Sequence, residues 1–79
     1  MSVILEIYYK SPENLSREAR ISDEVVKLGG TLSFKEQPES AASEAICLTY
    51  QFPDREIGER AAKAIRSLGE HVEGPSDYD

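Results

Sequence analysis

Val3-Ile4-Leu5-Glu6-Ile7-Tyr8-Tyr9-Lys10 alternates with the two-residue period of a β-strand. Val3, Leu5, Ile7 and Tyr9 share one face, and Ile4, Glu6 and Tyr8 the other. Apolar residues on both faces predict a central strand. Ala45 to Phe52 repeats the pattern, with Ile46, Leu48, Tyr50 and Phe52 opposed to Cys47, Thr49 and Gln51. Between them, Thr31-Leu32-Ser33-Phe34-Lys35-Glu36 alternates with Leu32 and Phe34 inward and a polar second face, as an edge strand does.

The helical period governs the intervening segments. From Leu15 to Leu28, the apolar positions Leu15, Ile21, Val25, Val26 and Leu28 form a stripe with the small residues Ala19 and Ser22. Ser11, with Pro12 in the first turn, and Asn14 are competing caps at its start. Gly29-Gly30 ends it, because glycine accepts the left-handed backbone that follows a helix. Pro53-Asp54 stops the Ala45–Phe52 strand, and Asp54 is placed to cap a second helix. Ile57, Ala61, Ala64, Ile65 and Leu68 then recur at helical spacing, with Gly69 as the stop. Glu70-His71-Val72-Glu73 predicts a short fourth strand with Val72 inward, ended by Gly74-Pro75. Gln37-Pro38-Glu39-Ser40-Ala41-Ala42-Ser43 predicts a polar loop and the most mobile part of the body.

The order strand, helix, strand, strand, helix, strand is that of two split βαβ units. It predicts an α+β, ferredoxin-like βαββαβ domain: a four-stranded antiparallel sheet of order 4-1-3-2 with both helices on one face. The expected core comprises Val3, Leu5, Ile7, Leu32, Phe34, Ile46, Leu48, Tyr50 and Phe52. The expected domain spans residues 1–74, with 75–79 as an acidic tail.

Composition narrows this picture modestly. With 79 residues, 39% hydrophobic and 30% charged, the chain suits one small globular unit. A chain of this size buries only roughly 60% of the surface its unfolded form exposes, so a second copy would add useful buried area. The formal charge of −6 is uneven: residues 70–79 hold Glu70, Glu73, Asp77 and Asp79 and no Lys or Arg. An acidic chain is a poor binder of nucleic-acid phosphates. Cys47 is the single cysteine, so no disulfide framework is expected. The first residues lack a basic stretch and reach Glu6 after three apolar positions, and no apolar run is long enough for a bilayer, so the expected location is the cytoplasm.

Candidate chemistry concentrates on the sheet face opposite the helices. Glu6, Tyr8, Cys47, Thr49, Gln51 and His71 are the candidate ligand- or partner-binding residues, with Ile4, Ser33, Lys35 and Glu73 beside them. RNA recognition on such a face needs several aromatic rings and cations. Tyr8 is the one aromatic expected there and Lys35 the one permanent cation, so nucleic acid is not an expected partner. Cys47 and His71 are separated by the first strand, about 10 Å at the usual strand spacing, too far for a direct thiol–imidazole hydrogen bond. No ligand set for a metal is discernible, and no cofactor or catalytic residue is expected. Asp23-Glu24 diverges around the helix as solvated charge. Arg55, Arg60, Lys63 and Arg66 with Glu56 and Glu59 read as exposed, mutually paired charges, a weak basic strip that could also receive an acidic partner or the chain's own tail.

Ser11-Pro12-Glu13-Asn14-Leu15, followed by Val25-Val26-Lys27-Leu28-Gly29-Gly30-Thr31-Leu32, resembles small ACT-like regulatory domains over the first half of the chain. The usual glycine opening the first helix is absent. The resemblance implies a regulatory module that binds amino acids between paired domains. The acylphosphatase-like branch of the fold would require a glycine-rich anion loop and an arginine, which Lys10-Ser11-Pro12-Glu13 does not supply. The expected function is therefore a non-catalytic interaction or regulatory module that associates with a protein partner or with itself, through the open sheet face or the Thr31–Glu36 edge. The alternative is a small-molecule-binding or minor enzymatic domain using the open sheet face.

Overall fold

The computed structural model describes residues 2–37 and 45–78. The elements are β1 (Val3–Lys10), α1 (Leu15–Lys27), β2 (Thr31–Glu36), β3 (Ala45–Phe52), α2 (Arg55–Ser67) and β4 (His71–Asp77). All strand pairs are antiparallel, in the order β2-β3-β1-β4, so β1 and β3 occupy the middle. The loop expected to be mobile falls largely on residues 38–44, outside the described residues.

Both helices cover the face that carries Val3, Leu5, Ile7 and Tyr9. These four are buried with Ile46, Leu48, Tyr50, Phe52 and Val72 of the sheet, Ile21 and Val25 of α1, and Ala61, Ala62 and Ile65 of α2. The small residues of α2 allow that helix to lie close to the sheet: a Cβ on Gly58 would stand 2.6 Å from the Val3 side chain. Asn14, rather than Ser11, caps α1, its side chain accepting from the Arg17 amide at 3.0 Å. Asp54 accepts from the Ile57 amide at 2.9 Å. Gly29 has φ 82°, and the amides of Gly29 and Gly30 close onto the carbonyls of Val26 and Val25. This paired arrangement satisfies carbonyls that the helix end leaves free.

Three sequence expectations change. First, the register of β2 slips between Leu32 and Phe34: Leu32 lies opposite Tyr50, but Phe34 lies opposite Thr49. Ser33 is the extra residue of a bulge, so strict alternation along β2 no longer specifies the face. Phe34 is thereby on the open face, 59% exposed instead of in the core. Lys35 crosses to the helix side, where it pairs with Glu13 and Glu18. Leu32 keeps its expected face but is 52% exposed, because the helices leave the β2 edge uncovered.

Second, β4 continues through Gly74-Pro75 to Asp77. Opposite Leu5, between the pairs Ile4–Ser76 and Glu6–Glu73, β4 places the two residues Gly74 and Pro75. Gly74 has φ 107°, a conformation open to glycine at little cost, so the expected break is a bulge within the strand and not the start of a tail. Third, the α1 stripe is narrower than expected. Ile21 and Val25 are buried and Leu28 partly so, whereas Leu15, Ala19 and Val26 are exposed.

Glu70, counted in sequence with the acidic end, is buried, with its side chain only 5% exposed. The Arg17 guanidinium donates to both of its carboxylate oxygens, each from Nε at 2.9 Å, and also lies 5.1 Å over the Tyr9 ring. This pair ties the first turn of α1 to the start of β4. Removing one partner strands a buried charge, whereas replacing both with apolar groups need not cost stability. Arg17→Met is expected to lower unfolding free energy in urea by about 1–3 kcal/mol, discounted because Arg17 is one-third exposed. Arg17→Met with Glu70→Leu should recover most of the loss.

Candidate functional site

Register places the open-face residues in rows running across the strands. Glu36, Cys47, Tyr8 and His71 make one row from β2 to β4. Phe34, Thr49, Glu6 and Glu73 make the next, and Thr31, Gln51, Ile4 and Ser76 the third. Each row passes through β1. The six candidate residues from sequence all lie in this array, joined by Phe34, Glu36 and Thr31, while Lys35 is absent from it. Nothing in Thr31-Leu32-Ser33-Phe34-Lys35-Glu36 marks the bulge responsible, since it contains neither glycine nor proline.

Tyr8 is the hub. It lies opposite Cys47 on one side and His71 on the other, and its ring meets the His71 imidazole edge-on at 6.0 Å. Cys47 and His71 are thus kept two strand spacings apart, about 10 Å at their backbones. The Cys47 thiol stands 3.8 Å from the Thr49 hydroxyl, and His71 Nε2 lies 3.0 Å from Glu73 Oε2. The Tyr8 phenol is pushed up to about 12, first by the adjacent Cys47 thiol, then by burial and by the neighbouring carboxylates Glu6 and Glu73. Glu6 lies directly opposite Glu73, a like-charge pairing that destabilises a sheet slightly. The row provides hydrogen bonds and ring contact, but no nucleophile with a base in reach.

A second polar cluster lies on the helix side. The Tyr9 hydroxyl donates to Glu18 and accepts from the Asn14 amide at 3.0 Å. Lys35 bridges Glu13 and Glu18, which raises its pKa well above the usual lysine range, with the Glu13 contact the larger cause. Ser22 and Tyr50 share a hydrogen bond at 2.9 Å. Among the described residues, every buried side-chain nitrogen or oxygen has a hydrogen-bond partner. No group of three or more His, Cys, Asp or Glu there is placed to hold a metal ion.

The two sheet edges differ. On β4, the Arg66 guanidinium donates to the carbonyls of Val72 at 3.0 Å and Gly74 at 3.5 Å. Arg55 donates to the Pro75 carbonyl at 3.0 Å and pairs with Asp77 at 2.6 Å. Pro75 itself has no N–H. Of the two expectations for these arginines, pairing with Glu56 and Glu59 gives way to contact with the β4 main chain, while Arg55 does receive Asp77 of the acidic C-terminal segment. On β2, no side chain among the described residues reaches a main-chain group in this way. Large exposed apolar side chains collect nearby: Leu32 and Phe34 on the strand, and Leu15 and Val26 on α1.

No family model matches the chain, and no curated protein matches it. Among solved structures, the chain is similar to a de novo designed protein, Foldit4, at 18% identity and a TM-score of 0.64, over 91% of this chain and 89% of that one. The similarity is one of fold: an α+β arrangement of a four-stranded antiparallel sheet and two helices. No helix among the described residues is long and apolar enough to cross a membrane.

Tyr8 holds its proton more tightly in the folded chain than in the unfolded one. The corresponding stabilisation is fully present below about pH 10 and is lost as pH rises toward about 12. Urea unfolding between these pH values should show stability falling with pH, and Tyr8→Phe should flatten part of that slope. An unchanged slope would show that Tyr8 is not shifted.

Proposed function

We propose that this chain is a non-catalytic protein-interaction module of ferredoxin-like architecture, whose docking element is the exposed edge of β2. The observation that supports this reading is the contrast between the edges: β4 is occupied by arginines from α2, whereas among the described residues no side chain reaches the β2 main chain and exposed apolar side chains flank it. An uncovered strand edge presents main-chain donors and acceptors that can pair with an added strand, while neighbouring side chains supply selectivity. Docking through such an edge requires no catalytic group. The small-molecule alternative has a single favourable feature, the Tyr8–His71 ring contact on a half-buried face, and is the weaker reading.

Selection of a random peptide library against the purified chain tests the proposal. Selected peptides are expected to alternate apolar and polar residues and to shift the amide resonances of Thr31 to Glu36. Peptides that shift only the helices, or the open face at Tyr8 and His71, would refute β2 as the docking element.

A further inference from the structure

We propose that the strand received by β2 is the β2 of a second copy of this chain, added antiparallel about a two-fold axis; this rests on the reading of β2 as the docking edge. Of the five large apolar side chains exposed among the described residues, Leu15, Val26, Leu32 and Phe34 lie on β2 or α1. Leu15, Ala19, Ser22 and Val26 recur at the spacing of one helical stripe. That flank overlooks β2: Ser22 bonds to Tyr50, the cross-strand partner of Leu32, and neighbouring Glu18 holds Lys35. Apolar surface therefore borders the edge in both layers, with Leu32, Leu15 and Val26 on the helix side and Phe34 on the open side.

A two-fold contact demands a surface complementary to itself. The charges of β2, Lys35 and Glu36, both lie at its C-terminal end. Antiparallel self-pairing sets each of them over the Thr31–Leu32 end of the partner, so no like charges meet, and Leu32, Ser33 and Phe34 take the centre. Lys35 does not guard the edge, because Glu13 and Glu18 hold it over the helix side. The Ser33 bulge interrupts the ladder at mid-strand, so the contact relies on these apolar side chains as much as on main-chain bonds.

The charge of −6 on each copy opposes association at long range, and salt screens that repulsion. Self-association through an apolar edge should therefore tighten with salt, whereas docking of a basic foreign segment should weaken.

Sedimentation equilibrium up to about 1 mM protein, at low and high salt, tests the arrangement. The expected result is a monomer–dimer equilibrium that tightens with salt, with β2 amides gaining protection from hydrogen exchange as concentration rises. Leu32→Lys is half exposed and should leave the fold intact by circular dichroism. It should weaken dimerisation at least about tenfold, because a two-fold interface carries it twice. A wild type that stays monomeric overturns the proposal. So does a dimer that Leu32→Lys leaves intact with β2 exchange unchanged. In either case the peptide selection decides separately whether β2 receives any strand, so the two readings fail independently.

Discussion

Pairing of β1 on both sides organises the molecule. Its buried residues Val3, Leu5, Ile7 and Tyr9 anchor the layer beneath both helices, and the alternate residues Ile4, Glu6 and Tyr8 pass through every row of the open face. With β3 and β4 bonded to β1, neither face of the strand can shift alone, since a slip of one residue would exchange the apolar and polar sets. The core and the open face are therefore two consequences of one register. That coupling explains why Tyr8, an open-face residue, has its surroundings fixed by Cys47 of β3 on one side and His71 of β4 on the other.

Charge distribution forms a second level of organisation. The arginines and lysines whose contacts define the fold all point at the chain itself: Arg17 at Glu70, Lys35 at Glu13 and Glu18, Arg55 at Asp77, and Arg66 at β4 carbonyls. On the open face, by contrast, Glu6 opposes Glu73, whose carboxylate lies beside the His71 ring. The buried Glu70 shows how a residue counted as part of an acidic terminus becomes a structural link once its partner, 53 residues away, is brought to it.

The elements themselves were legible in the sequence. β1 and β3 were readable because alternation persists over eight residues, and α2 because Asp54, an apolar stripe and Gly69 agree on its ends. The misreadings share a physical origin. Alternation reports a face only while the ladder is regular, and the bulges at Ser33 and Gly74-Pro75 are set by pairing with another strand. Alternation alone therefore places Phe34 in the core and Lys35 on the open face, and Gly74-Pro75 alone reads as the end of a strand. For the candidate site, the rows of Tyr8, Cys47 and His71 follow from strand order and alternation. The difference between the edges does not, because it depends on where Arg55 and Arg66 of α2 come to rest.

That placement of Arg55 and Arg66 has a consequence for valency. A sheet with two receptive edges can grow indefinitely by head-to-tail addition and form fibres. Here the carbonyls of Val72, Gly74 and Pro75 on one border are already taken by the molecule's own guanidinium groups, which makes that border a poorer receiver of an added strand. On the proposed reading, a strand taken up at the other border would end growth, with stoichiometry limited from within a single copy by two side chains on the helix that packs against β4.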